Sequence, residues 1–299
     1  HGLEQERFAK LKLDTAIFTN LTRDHLDYHA NMTDYFAAKL KLFTRHLKKE
    51  GFAIINADDD YGAQIISICK AKQLKFFTYG KKAHDLKLIS QNNELFTLKY
   101  QNQLYEFNTS LIGEFQIYNI MAVISLLLLK NIPMNNIIGI VEKFVPIKGR
   151  LEEVKSNKNY RVFIDYAHTP DALENILVTL KANCKNKLIL LFGCGGERDQ
   201  GKRSKMAIIA DKYADITVVT DDNPRNEDAA IIRDEIVKYL HNFYNIGERK
   251  AAIRHALAIA KKDDIVVLAG KGHENYQIIG EQKIHCDDYE TVSELLNVE

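Results

Sequence analysis

Cysteine is scarce, no apolar run is long, and neither sign of charge dominates; each shortage closes off a class of protein. The four cysteines, Cys69, Cys184, Cys194 and Cys286, are scattered. They make no CxxC pair and no disulfide-framework spacing, so a soluble cytoplasmic protein with reduced thiols is expected. The longest apolar run, residues 120–129, is broken by Ser125 and is too short to span a bilayer, so no membrane insertion is expected. No basic segment followed by an apolar stretch opens the chain, so a secretory signal is not expected in it. Lys plus Arg number 41 against 40 Asp plus Glu, a net charge of +1. That balance argues against nucleic acid as a partner but leaves room for a small basic pocket around an anionic substrate. Internal repeats and low-complexity tracts are missing too. What remains is a globular composition, 46% apolar and 27% charged over 299 residues, a length that suits about two domains. The chain opens His1-Gly2-Leu3-Glu4-Gln5 without a methionine and reads as a piece of something longer.

Apolar patterning predicts an α/β fold in two domains. In the first half, residues 15–19, 52–56 and 75–79 are compact apolar runs of the kind that become buried parallel strands. Apolar residues at helical spacing predict helices over 33–47, 61–72, 116–130 and 135–144. Between residues 86 and 107, alternation predicts an antiparallel hairpin. Pro146 and Gly149 punctuate the chain, placing the boundary between domains of residues 1–147 and 148–299. Beyond it, strands are predicted at 161–165, 187–192, 216–220 and 265–269, with helices over 171–182, 202–213, 229–240 and 250–261. This alternation implies a mostly parallel sheet covered on both faces.

Ligands of such sheets sit beyond the carboxyl ends of strands, and several endings here are polar and glycine-rich. The first strand is followed by Arg23-Asp24-His25-Leu26-Asp27-Tyr28-His29. His25 and His29 stand four apart, a spacing that can chelate a metal on a helix, although a polar loop with surface histidines is the commoner outcome. Lys39 lies within an apolar helical stripe, usually the place of a snorkelling flank residue. Gly193-Cys194-Gly195-Gly196-Glu197-Arg198-Asp199-Gln200-Gly201-Lys202-Arg203 nearly matches a phosphate loop, but Arg203 stands where a metal-binding hydroxyl belongs. Arg198, Lys202 and Arg203 together favour a carboxylate or phosphate ligand. Asp222-Asn223-Pro224-Arg225 reads as a helix start that sets Arg225 near free backbone N–H groups. Asp165-Tyr166-Ala167-His168-Thr169-Pro170 and Gly270-Lys271-Gly272-His273-Glu274 end two further strands. A shared ligand explains four such endings on one sheet better than coincidence does.

Taken in order, these stretches, with His1 to Arg7, Asp34 to Lys39, Gly113 to Asn119 and Gly149-Arg150, resemble the Mur ligase family of peptidoglycan synthesis over essentially the whole chain. The resemblance implies a central P-loop-type ATPase domain with a mostly parallel sheet, followed by a Rossmann-like C-terminal domain. It implies a monomer using ATP and Mg2+, with ATP, UDP-MurNAc-L-Ala-D-Glu and meso-diaminopimelate as substrates. ATP would phosphorylate the D-Glu side-chain carboxylate, and an amine of the amino acid would attack the acyl phosphate. In that resemblance His25 and an N-carbamylated Lys39 hold the metal. Gln116 and Asn119 flank adenine, and Arg150 and Asp165 hold the phosphate and ribose of ATP, with His168, a further catalytic residue, nearby. Gln5 and Arg7 meet the UDP-MurNAc-dipeptide. Arg198, Asn223, Arg225, Gly270 and Glu274 form the diaminopimelate pocket, where Arg225 would pair with the distal carboxylate.

The family's own phosphate loop, an acidic metal ligand, a Ser pair and a uridine-gripping domain would precede His1, so the piece is expected to be truncated and inactive alone. A P-loop kinase built on residues 196–203, a folylpolyglutamate-synthetase-like ligase and a non-catalytic module for acidic ligands are the rival readings.

Overall fold

The computed structural model describes residues 2–7, 9–92 and 94–297; His1, which opens the first family-like stretch, lies outside them. The chain divides into two compact units, 1–145 and 146–299.

The first unit holds a six-stranded sheet in the order β1-β2-β3-β4-β5-β6, formed by β1 (Leu13–Phe18), β2 (Leu47–Asn56), β3 (Lys75–Gly80), β4 (Leu86–Asn92), β5 (Leu95–Tyr100) and β6 (Gln103–Asn108). β1 to β4 run parallel and β4 to β6 antiparallel. Alternation along β2 decides which helices cover which face. Ala53 and Ile55 join Tyr35, Phe36 and Ile65, from α1 (Met32–Lys41) and α2 (Asp60–Ala71). Ile54 joins Ile117, Ile120 and Ile137, from α3 (Glu114–Leu129) and α4 (Met134–Val141) on the other side.

Two expectations need correction here. The apolar stripe over 33–47 is not one helix: α1 stops at Lys41, a π-helical turn spans Leu42–His46, and Leu47 already pairs with Leu13 in the sheet. Phe43 and His46 are buried in that turn, and a buried leucine satisfies a helix stripe and a strand equally well. The hairpin over 86–107 is instead a three-stranded meander, β4 to β6.

The second unit is a six-stranded sheet in the order β11-β10-β9-β12-β8-β7. Its strands are β7 (Glu152–Val154), β8 (Arg161–Asp165), β9 (Leu188–Phe192), β10 (Ile216–Val219), β11 (Phe243–Asn245) and β12 (Ile265–Ala269). All pairings are parallel except that of β7. Every residue of β9 and of β12 is buried, as central strands covered on both faces require. Val162, Ile189 and Val266 pack with residues of α8 (Arg249–Ile259) and α9 (Asp288–Leu296). The opposite face is that of α5 (Pro170–Ala182), α6 (Gly201–Tyr213) and α7 (Ala229–Val237). Thr169 caps α5 through the Ala172 N–H, with Pro170 as its first residue. The short edge strands β7 and β11, the helix α9 and the hairpin β13 (Tyr276–Ile279) with β14 (Gln282–His285) are additions to the predicted elements.

Candidate active-site groups

Because β8, β12, β9 and β10 are parallel, their carboxyl ends share one edge, and the turns beyond them are tied to one another. Asp165 ends β8. Its buried carboxylate accepts the Leu151 N–H at 2.6 Å and the Ala167 N–H at 2.7 Å. Burial nevertheless pushes this carboxyl above its usual range, against the pull of those bonds. Gly149 and Gly272, at φ +68° and +53°, meet back to back, and a Cβ on Gly149 would stand 2.2 Å from the His273 nitrogen. Only glycine fits there. The turn sets the Arg150 guanidinium over the Tyr166 ring, 4.4 Å from its centroid. Tyr166 also meets the His168 ring edge-on at 4.7 Å, and Nδ1–H of His168 donates to the Tyr166 carbonyl at 2.8 Å. Arg150, Asp165 and His168 therefore lie together around Tyr166, a residue to which sequence reading assigned no role.

The turn beyond β10 is not the helix start expected from Pro224. α7 begins later, at Ala229, capped by Asp228. Arg225 instead adopts φ 54° and pairs with the hairpin: its N–H donates to the Ile278 carbonyl at 3.1 Å, and its carbonyl accepts the Gly280 N–H at 2.7 Å. The hairpin thus supplies the partners that a helix N-terminus would have needed. Nη1 of Arg225 donates to the Gly196 carbonyl at 2.7 Å and to that of Asn223 at 3.3 Å. The guanidinium carries five N–H donors in all. Gly196 donates its N–H to the Asn223 carbonyl at 2.9 Å, and a Cβ there would collide with the Pro224 carbonyl at 2.0 Å. The glycines beyond β9 thus serve close approach to the turn beyond β10.

Asn223 is buried. Its Oδ1 accepts the Ile278 N–H at 2.9 Å, and its Nδ2 lies 3.5 Å from Glu274 Oε2. The Tyr166 hydroxyl donates to Glu274 Oε1 at 3.3 Å. Gly270, at φ +109°, leads into this turn, and Arg198 is exposed in the loop before α6. Arg203, read with Arg198 and Lys202 as a cation for an anionic ligand, is instead turned inward. It is 2% exposed, with Nη1 2.9 Å from Glu235 and Nη2 2.8 Å from Glu227. Lys202 donates to the His168 carbonyl at 2.9 Å. The basic spacing read as a phosphate site is therefore partly an internal brace.

In the first unit, the residues beyond β1 and β2 are linked by an amide and a carboxylate that sequence reading passed over. Asn56 Nδ2 donates to the Thr19 carbonyl at 2.8 Å, and Asp59, the cap of α2, accepts the Leu21 N–H at 3.2 Å. Asp58 accepts the Lys82 N–H at 2.7 Å and the Tyr118 hydroxyl at 2.6 Å. The second bond fixes the start of α3, where Gln116 is half-buried and Asn119 exposed, 3.5 Å apart through their amides. Lys39 is half-buried on α1 with Nζ 5.2 Å from the Tyr35 ring centroid. Burial lowers its pKa, and the charges of Asp24 and Asp59 work the other way.

His25 and His29 form a single backbone turn, the His29 N–H donating to the His25 carbonyl at 2.9 Å, and both rings pack around Tyr35. His29 is buried and stacked at 5.0 Å. Burial lowers the pKa of both rings, His25 keeping Asp24 beside it. Among the described residues no group of three His, Cys, Asp or Glu side chains is placed to hold a metal alone. Gln5 and Arg7 are exposed in the turn at the start of the chain. No helix among the described residues is long and apolar enough to cross a membrane.

Residues 1–127 match the Mur ligase middle domain, and residues 149–272 match the Mur ligase glutamate ligase domain. The chain is 43% identical to the UDP-N-acetylmuramoyl-L-alanyl-D-glutamate–2,6-diaminopimelate ligase of Rickettsia bellii over 98% of its own length, and spans 63% of that relative. A solved structure bearing the same enzyme name is 34% identical with a TM-score of 0.62, across 99% of this chain and 63% of that one. Escherichia coli FolC, solved with DHPP and ADP, has a TM-score of 0.70 at 18% identity over 96% of this chain and 61% of its own, a likeness of fold alone. With both domains matched in order and the strand-end turns assembled as described, the chain belongs to the Mur ligase family.

Proposed function

We propose that the chain supplies the amino-acid pocket and part of the nucleotide site of an ATP-dependent ligase joining meso-diaminopimelate to UDP-MurNAc-L-Ala-D-Glu, acting as a monomer in the cytoplasm. The reading rests chiefly on the turn from Asp222 to Arg225, held by the hairpin so that the Arg225 guanidinium reaches the Asn223 carbonyl while the Asn223 amide reaches Glu274. A carboxylate is a poor electrophile at neutral pH. Transfer of the ATP γ-phosphoryl group to the D-Glu side chain makes it an acyl phosphate, and attack by the amine then expels phosphate. The protein's share is positioning and charge neutralisation.

Within that scheme Arg225 and Arg198 meet the distal carboxylate of the amino acid, and Glu274 accepts hydrogen bonds from an ammonium group near Gly270. Arg150, Asp165 and His168 face the ATP phosphate and ribose, Gln116 and Asn119 face adenine, and Gln5 and Arg7 meet the dipeptide precursor. Lys39, with its pKa lowered by burial, is suited to lose its proton and take up carbon dioxide as a carbamate. The carbamate would offer the hard, anionic oxygen that Mg2+ prefers, with the His25 ring beside it and water and phosphate oxygens to complete the shell. When bound, that ion neutralises phosphate charge.

Calorimetric titration of the 299-residue chain with meso-diaminopimelate and with L-lysine tests the reading. The diacid should bind more tightly. Arg225→Ala should weaken it about 10- to 150-fold, the worth of a charge-assisted pair of about 1.5–3 kcal/mol. Equal affinity for the two amino acids, or no change in Arg225→Ala, would refute it.

A further inference from the structure

We propose that Lys271 is a positioning residue that fixes which way the Asn223 amide points, so that the pocket receives N–H donors from it instead of a carbonyl oxygen. The inference rests on the amino-acid reading above and adds to it a residue with no contact to the ligand.

Lys271 lies between Gly270 and Gly272 in a turn that looks solvent-facing in sequence, yet its side chain is wholly buried. Its ammonium donates to the Tyr276 carbonyl, lies 3.4 Å from Asn223 Oδ1 and stands 3.6 Å from Asp222 Oδ1. An ammonium has three donors and no acceptor, so it accepts only oxygen neighbours. Asn223 Oδ1 faces a second donor as well, the Ile278 N–H at 2.9 Å. Turning the amide over would bring its NH2 group against both donors inside the protein, where unmet polar groups are costly. Oδ1 is therefore held inward and Nδ2 outward, 3.5 Å from Glu274 Oε2. A ligand carboxylate then finds donors on Asn223 and Arg225, while Glu274 remains the acceptor for a ligand ammonium. Lys271 also balances the Asp222 carboxylate, so one buried cation sets both the charge and the polarity of the turn.

The test is NMR of the labelled full chain. In the unsubstituted protein the nuclear Overhauser contact of the Asn223 NH2 protons to the Glu274 side chain should outweigh that to the Ile278 amide. In Lys271→Met, and in Asp222→Asn/Lys271→Met, which leaves no unpaired buried charge to unfold the chain, the contact to the Ile278 amide should strengthen at the expense of that to Glu274 as the amide samples both orientations. Diaminopimelate affinity should fall about fivefold in Lys271→Met, the worth of one hydrogen bond, and should not fall further when Lys271→Met is added to Asn223→Ala. One amide orientation preserved in both variants, or an equal loss with and without Asn223, overturns the proposal. An unsubstituted chain that does not bind diaminopimelate would instead refute the amino-acid reading, and the amide contacts would still decide the role of Lys271.

Discussion

Arg249 and Asp288 form an ion pair inside the second unit, with side chains 1% and 0% exposed. The pair is bidentate, with Nε and Nη2 each 2.7 Å from a carboxylate oxygen. Arg249 also donates to the Ala269 carbonyl at 3.3 Å and to the Asp221 carbonyl at 3.5 Å, joining the end of β12 to the turn beyond β10. Burial works against its charge, but the Asp288 carboxylate holds the guanidinium above its usual pKa. Arg249→Met keeps much of the stem's volume and strands Asp288 in the interior. Removing one partner of such a pair costs about 3–5 kcal/mol, a large part of a domain's total stability of about 5–15 kcal/mol. Replacing both ions by apolar groups of similar volume is often close to neutral, so Arg249→Met/Asp288→Leu should regain most of the loss. Hydrogen exchange of β9 and β12 amides through a urea series is the suitable assay, because two compact units need not unfold together. If Arg249→Met stayed within about 1 kcal/mol of the unsubstituted chain, or if the double variant were no better than the single one, the account of this pair would fail.

Two further outcomes follow from the first unit. With its pKa lowered by burial, Lys39 should be carbamylated by labelled bicarbonate at mildly alkaline pH before surface lysines are. A carbon NMR carbamate signal present in the unsubstituted chain and lost in Lys39→Arg would support this, and a signal that survives the substitution would refute it. His25, its ring pKa lowered by burial, binds a proton less readily folded than unfolded. Its contribution to stability is therefore complete above the ordinary value of 6.5 and declines as pH falls from there through the lower folded value. NMR titration of the ring checks the sign, and a midpoint at or above 6.5 would be the wrong result.

What can be read along the chain is what neighbouring residues decide among themselves. The continuous apolar runs of β9 and β12, the capped and proline-started α5, and the long apolar α3 are marked by composition, length and caps, so the two α/β units were legible. Resemblance added roles for Arg225, Asn223 and Glu274 that spacing alone did not supply. The tertiary structure decided how those residues are held. Leu47 could end a helix or open a strand until Leu13 came beside it. Arg203 looked like a ligand-facing cation and is an internal brace, because Glu227 and Glu235 reach it from beyond the next strand. Arg225 follows a proline that suggests a helix, yet it pairs with a hairpin that no local pattern announced. Lys271 looks like a polar loop residue, and only the approach of Asn223, 48 positions away, makes it a buried cation. Periodicity is a property of adjacent side chains. The partner of a buried charge is chosen by the fold that closes around it.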